Sequence, residues 1–306
     1  MNIYFAGYMQ SVFIQQDADL LSENHKLTIF DFSKHAASFS NIHKFLFYSA
    51  CEWNNVRKSD VVVLWFADYP ALPFIIWGKL FHKPIITHVG GWEVYSAPEI
   101  NYGNQLNPIR GAATRWILRN STINICMSEA YKNIILACEP RSHVRVIPGW
   151  VDVECDVSKL EKDDSIITAL ISIKFTERLK GIPIFLEATK SLNARVIENV
   201  SHDELISILK KTCVYCQLSY TESFGMTLLE AMSCGCIPVV SDRDALPEVV
   251  GDCGYVVPYG DVEATRQAVL KALESKDMIK SKHRALLFSK ERAKILIESL
   301  LKEVCK

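Results

Sequence analysis

The chain has 306 residues, 49% hydrophobic and 23% charged, with a formal net charge of -1 and a pI near 6.7. That is the make-up of a soluble globular protein with length for two domains. Basic and acidic residues number 13 and 12 up to residue 152, then 21 and 23, so neither half has the basic excess of a nucleic-acid binder.

In chain order, β-rich runs alternate with helical patterns. Strands are expected over Asn2–Ala6, Leu27–Phe32, Val61–Phe66, Ile85–Val89, Thr122–Met127 and Val144–Pro148. Between them, helices are expected over Pro73–Phe81, Leu106–Arg119 and Ser128–Cys138. Val61–Gly78 has the length of a membrane span, but Asp68, Pro70 and Pro73 interrupt it. It reads as strand, turn and helix, so no spanning segment is expected. After a break near Asp163 the alternation resumes. Strands are expected over Ile166–Ile173, Arg195–Val200, Cys213–Ser219, Ile237–Ser241 and Gly254–Val257. Helices are expected over Ile182–Leu192, Asp203–Lys211, Met226–Cys234, Val262–Ser275 and Ile279–Val304.

Apolar strands that alternate with helices build parallel sheets covered on both faces. Two such series predict an α/β protein of two doubly wound, Rossmann-like domains facing a central cleft. The expected boundaries are 1–152 and 160–284, with a C-terminal helix of about 285–306 packing back on the first. The ten cysteines are scattered, and Met1–Gly7 runs directly into strand-like sequence without a secretory signal. A reduced, cytoplasmic protein is expected. Cys213 and Cys216 form a lone pair in a strand and are read as structural.

The chemistry concentrates between Cys213 and Asp261. A strand ends in Tyr220-Thr221-Glu222-Ser223-Phe224-Gly225, and the helix Met226-Thr227-Leu228-Leu229-Glu230 follows at once. A strand-to-helix turn puts unpaired backbone N–H groups and the positive dipole end at the carboxyl edge of a sheet, which suits a diphosphate. Gly225 permits close backbone approach. Glu222 stands in the turn and Glu230 along the helix, so their carboxylates meet a ligand at different depths. Each can accept hydrogen bonds from vicinal hydroxyls. A nucleotide sugar has hydroxyls at both ends and charge between them.

These residues resemble the Glu-x7-Glu signature of retaining GT-B glycosyltransferases, most closely the group 4 family. Gly235-Cys-Ile-Pro-Val-Val, Pro247-Glu248-Val-Val and Gly254-Tyr-Val-Val-Pro258 continue the pattern. The resemblance implies that Glu222 faces the donor sugar and Glu230 holds the ribose. Ser223, Phe224, Gly225, Met226 and Thr227 would bind sugar and phosphate through the backbone. Upstream, Lys174-Phe-Thr-Glu-Arg178-Leu-Lys180-Gly181 resembles the family loop whose two cations neutralise the diphosphate. Lys180 matches directly; the second cation falls on Arg178 or Lys174, with Arg178 preferred.

In the first half, His88-Val-Gly90-Gly91 resembles the loop whose imidazole approaches the donor sugar, and Gly7 is what remains of a glycine-rich phosphate turn. Ile147-Pro-Gly149-Trp150-Val-Asp152 resembles a family linker turn. Trp92 and Trp150, in loops after strands, are candidates to line a sugar site. Asp242-Arg-Asp244 has the spelling of a metal motif of another fold and is read as structural. The resemblance implies a retaining, metal-independent transferase with no cofactor. Its co-substrate would be a UDP- or GDP-linked sugar and its acceptor a glycan or lipid-linked glycan. The alternatives are a nucleotide-sugar-binding protein without activity, and a GT-B phosphorylase or epimerase. The base is expected near Glu198–Glu204. Arg110, Arg115 and Arg119 on one helix read first as a solvated face and second as a weak peripheral contact with the cytoplasmic membrane face.

Overall fold

The computed structural model describes residues 1–34, 42–152, 155–170, 177–275 and 277–306. The chain divides into two compact units, residues 1–147 with 294–306 and residues 148–293.

In the first unit, β1 (Asn2–Gly7), β2 (Lys26–Asp31), β3 (Val61–Trp65), β4 (Ile85–His88), β5 (Ile123–Cys126) and β6 (Val144–Val146) form one parallel sheet in the order β2-β1-β3-β4-β5-β6. Its helices are α1 (Val12–Ser22), α2 (Ile42–Cys51), α3 (Trp53–Lys58), α4 (Leu72–Leu80), α5 (Pro108–Asn120) and α6 (Glu129–Cys138). The central strands β1, β3, β4 and β5 are buried along nearly their whole length, as a sheet covered on both faces requires. One core cluster gathers Tyr4, Phe30, Phe32 and Phe74, with ring centroids 5.1–6.1 Å apart. Asn107 caps α5 and Ser128 caps α6 by accepting from backbone N–H groups.

In the second unit, β7 (Ile166–Leu170), β8 (Ala194–Glu198), β9 (Val214–Gln217), β10 (Ile237–Ser241) and β11 (Tyr255–Val257) form a parallel sheet in the order β11-β10-β9-β7-β8. The helices are α7 (Ile182–Ala188), α8 (His202–Lys211), α9 (Met226–Ser233), α10 (Leu246–Val250), α11 (Val262–Ser275) and α12 (Met278–Leu286). The chain runs from β7 outward to β8, then returns to the other side of β7 as β9. The sheet therefore has its topological switch point between β7 and β9, where ligands of open α/β sheets bind at the carboxyl ends.

The last helix, α13, spans Lys290–Val304. From Lys294 onward it groups with the first unit, where Ile297, Leu300 and Leu301 lie over Val63, Ile86 and Ile125 of the sheet, beside Asp17 and Leu21 of α1. All eleven expected strands are present, with ends shifted by at most two residues where both ends are described. The expected single helix Ile279–Val304 is instead two. Phe288 breaks it: its ring packs edge-on to Phe224 at 5.4 Å, and its carbonyl accepts from the Val151 N–H. Ser289 then accepts from the Arg292 N–H and starts α13 anew.

Candidate functional site

The loops leaving β7 and β9 are stitched together at the switch point. The Tyr220 N–H donates to the Leu179 carbonyl at 2.8 Å. Gly181, at φ 67°, starts α7 in the left-handed region, and a Cβ there would collide with the Leu218 carbonyl. The Lys180-Gly181 pair thus has a geometric meaning, since the glycine lets the loop press against β9 while the lysine reaches across it.

Lys180 Nζ lies 2.6 Å from Glu222 Oε2. Gln217 Nε2 donates to the same oxygen at 2.6 Å, and Ser219 Oγ donates at 3.3 Å. Three described donors therefore converge on Oε2 and fix the carboxylate. From behind, the Asp244 carboxylate accepts from the Glu222 N–H at 3.1 Å and from the Thr221 hydroxyl. Burial raises the Asp244 pKa, and the Thr221 hydroxyl and Glu222 N–H offset part of that rise. Asp242 accepts from the Tyr259 N–H, and Arg243 lies over the rings of Tyr220 and Tyr259. Asp242-Arg-Asp244 is thus a brace for the Glu222 turn.

Beside this turn lies a pocket of about 230 Å³, lined by Lys180, Gln217, Tyr215, Thr227, Asn199 and Leu205 among others. It is built from the carboxyl ends of β8 and β9 and the first turns of α8 and α9. Residues 199, 200 and 205 on its wall fall around the segment expected to carry the base. Glu230 stands one turn beyond Thr227 on the same face of α9. It is 8% exposed, and its Oε1 is 2.9 Å from His202 Nε2 on α8. Burial raises the Glu230 pKa, and the His202 hydrogen bond and charge oppose that rise.

Gly225 caps α9 at φ 95°, a conformation that calls for glycine. Phe224 is 1% exposed and packs on Phe288. A Cβ on Gly149 would lie 2.6 Å from Phe224 Cδ1 and 2.8 Å from Met226 Sδ. The side chains of Phe224 and Met226 therefore pack close to the backbone at Gly149. Ser223 is half-buried in the turn. Arg178 is exposed, and its carbonyl accepts from the Gly181 N–H. Lys174 lies outside the described residues.

The first unit holds Gly7 and His88. A Cβ on Gly7 would lie 3.0 Å from Trp65 Cβ, so this glycine serves strand packing. His88 is buried, stacks on Trp65 at 4.6 Å, and has Nδ1 3.7 Å from the Asp17 carboxylate. Its ring lines the cavity under α1 and α13, and burial pushes its pKa down to about 3. His88 is thus a packed histidine that burial disposes to stay neutral. The loop after β4 is organised by Glu93, 1% exposed, whose carboxylate accepts from the N–H groups of Ala67, Gly90 and Gly91. Burial raises its pKa and those N–H groups oppose the rise. Trp92 is exposed while its indole N–H donates to Asn104, and Trp150 is buried under Lys290. The arginines of α5 are committed as well: Arg110 to Asp68, Arg115 to Gln105 and Arg119 to Glu139.

Sequence reasoning passed over Gln217, and it reached Asn199 and His202 only as members of the Glu198–Glu204 segment, without singling out either. Gln217 had a signal, a polar side chain closing an otherwise apolar strand. His202 follows the Ser201 cap of α8 and gave none. Among the described residues, no cluster of three or more His, Cys, Asp or Glu is arranged to hold a metal ion, and all ten cysteines are free thiols.

Residues 183–287, wholly inside the second unit, match the family model described as Glycosyl transferases group 1. O-antigen chain mannosyltransferase B of Escherichia coli is 48% identical over 56 residues, 18% of this chain and 15% of that protein. The chain thus aligns with only a small part of that relative's length. Sucrose-phosphate synthase of Thermosynechococcus elongatus superposes at a TM-score of 0.79 and 12% identity, over 99% of this chain and 98% of that one. Anabaena HepE in complex with UDP and glucose superposes at 0.75 and 11% identity, over 99% and 100%. The chain has the GT-B fold, and its second unit carries the glycosyl transferases group 1 signature.

Proposed function

We propose that the protein transfers a sugar, with retention at the anomeric carbon, from a nucleoside-diphosphate donor to a hydroxyl of a glycan or lipid-linked glycan. The observation that carries this reading is the crevice at the β7/β9 switch point, where Lys180 and Thr227 line a pocket next to a carboxylate held by three donors. The group 1 family match over that unit supports it, as does the mannosyltransferase relative.

In this reading the nucleoside occupies the pocket and Glu230 accepts from the ribose hydroxyls. The diphosphate lies at the start of α9, where the first N–H groups lack helical partners. Lys180, with Arg178 or Lys174, neutralises the charge that grows as the bond from the anomeric carbon to the phosphate oxygen breaks. The acceptor oxygen bonds to the anomeric carbon on the same face, and its proton passes to the leaving phosphate oxygen. Glu222 orients the donor sugar through its hydroxyls. No metal or cofactor is called for, because the cations and the helix N-terminus supply the positive charge.

A thermal-shift screen over UDP- and GDP-sugars selects the donor, since binding raises the melting temperature by mass action. Incubation of that donor with candidate acceptors, with and without EDTA, then measures transfer, and proton NMR of the product reads the anomer. Donor binding without transfer or hydrolysis would leave a binding protein. Donor consumption that requires phosphate, or that isomerises the sugar without an acceptor, would make it a phosphorylase or epimerase. An inverted product would refute retention.

A further inference from the structure

Glu222 is gripped by its main chain as well as by its side chain. Its Oε2 takes Lys180, Gln217 and Ser219, and among the described residues no donor reaches Oε1. Oε1 is therefore the oxygen left to a ligand hydroxyl. On the main chain, the Asp244 carboxylate accepts from the Glu222 N–H at 3.1 Å, and the Ala245 N–H donates to the Glu222 carbonyl at 3.2 Å. Asp244 also accepts from the Thr221 hydroxyl, and the Ser241 hydroxyl at the end of β10 donates to the Ser219 carbonyl at 2.7 Å. Two consecutive residues of the loop between β10 and α10 thus address both polar backbone atoms of one glutamate.

That loop turns through an unfavourable conformation. Asp244 has φ 45°, in the left-handed region that L side chains rarely adopt. Glycine would make the same turn without the steric cost. It would also remove the acceptor that the Glu222 N–H and the Thr221 hydroxyl share. A strained backbone beside a site points to use, and here the use is visible in what the side chain holds. Asp244 is not among the described residues that line the neighbouring pocket, so its effect on a ligand passes through Glu222.

We infer that Asp244 is a positioning residue for the donor sugar: with Ala245 it clamps the Glu222 backbone and so aims Oε1, while Lys180, Gln217 and Ser219 hold the other oxygen. This role rests on the proposed one of Glu222, that of orienting the donor sugar through its hydroxyls. Such a clamp matters because a misplacement of about 1 Å can cost about a hundredfold in rate. Strain and grip belong to the same residue, so substitutions can separate them.

The test compares Asp244→Asn, Asp244→Gly and Asp244→Ala in the full chain. Asparagine tolerates the left-handed turn and keeps an acceptor. Glycine takes the turn without the acceptor, and alanine has neither advantage. The Gly variant should therefore melt about 2–4 °C above the Ala variant. Function should follow the acceptor instead. Consumption of UDP-glucose, UDP-N-acetylglucosamine and GDP-mannose is measured, with affinity for each set against UDP or GDP alone. For a sugar that the wild-type chain uses, kcat should fall about thirtyfold or more in the Gly and Ala variants and stay within about fivefold in the Asn variant. Affinity for UDP or GDP should stay within about threefold throughout. Hydrogen exchange reads the clamp without any ligand: the peptide carrying Thr221 and Glu222 should exchange about tenfold faster in the Gly and Ala variants than in wild type. Unchanged exchange would overturn the clamp, and faster exchange with unchanged kcat would overturn its role in positioning. Losses of kcat that track Tm, with the Gly variant close to wild type, would do the same. A wild-type chain that consumes none of these nucleotide sugars, and binds them no better than UDP or GDP, would sink the role of Glu222 and that of Asp244 with it, while the exchange difference remained.

Discussion

Glu222 is half-buried and bound through one oxygen, so a change of charge there keeps the side chain's size while altering what it offers a ligand. With Glu222→Gln, kcat is expected to fall by about a hundredfold or more, since positioning and electrostatic groups carry effects of that size. Nucleoside-diphosphate affinity, measured by calorimetry, should stay within about threefold, because the nucleoside reaches the pocket without this carboxylate. Unchanged turnover would remove Glu222 from the site. His202 acts on the other glutamate. Its hydrogen bond orients the buried Glu230 carboxylate, so His202→Ala should weaken binding of a ribonucleoside diphosphate by about five- to tenfold. Binding of the 2′-deoxy analogue should change less, and an equal loss for both would mean that His202 does not act through Glu230. His88 predicts a pH effect on stability. Its pKa is 6.5 in an open chain and about 3 when folded, so between those values the unfolded chain binds more protons. The stability it contributes is complete above about pH 6.5 and is lost as pH falls toward 3. Melting curves of wild type and His88→Gln should therefore converge as pH is lowered from 7.5 to 4.5, and a constant gap would refute the assignment.

At the level of elements, the strands and the Glu222 turn were legible because their signals are local. A run such as Val61–Trp65 is apolar throughout and short, and Gly225 precedes a helical pattern at once. What was not legible depends on residues far apart in the chain. Alternation puts His88 on the same sheet face as Ile86, but nothing near either says that α1 and α13 cover that face. The break at Phe288 is likewise hidden, because helical periodicity continues through it and the cause is Phe224, 64 positions earlier. The signal that was present is Ser289, with Glu291 in the first turn of α13, the mark of a helix start. Ser289→Ala should thus cost about 1 kcal/mol, a fall in Tm of about 2–4 °C by calorimetry. Gly181→Ala should cost more, because it adds a left-handed backbone to a collision with the Leu218 carbonyl. A Tm within about 1 °C of wild type would count against the close approach of the two loops.

For the molecule as a whole, the chain forms two units with separate cores, and the pocket lies in one of them. Every residue that lines the pocket belongs to the second unit, as do Glu222, Glu230, His202 and the Asp244 brace. The second unit also has a core of its own, from Ile166 and Phe185 to Val269 and Ala272. The family match falls in that unit, whereas in the first unit Gly7 lies close against Trp65 and His88 is buried. Donor grip and acceptor choice are therefore expected to separate experimentally. Residues 148–293 expressed alone should fold, show a cooperative melt by circular dichroism, and bind the selected nucleoside diphosphate within about tenfold of the full chain, or about 1.4 kcal/mol. The same fragment should transfer no sugar to any acceptor that the full chain accepts. A folded fragment without nucleotide affinity would mean that the pocket beside Lys180 and Thr227 is not the donor site, and transfer by the fragment would mean that the acceptor is held there too.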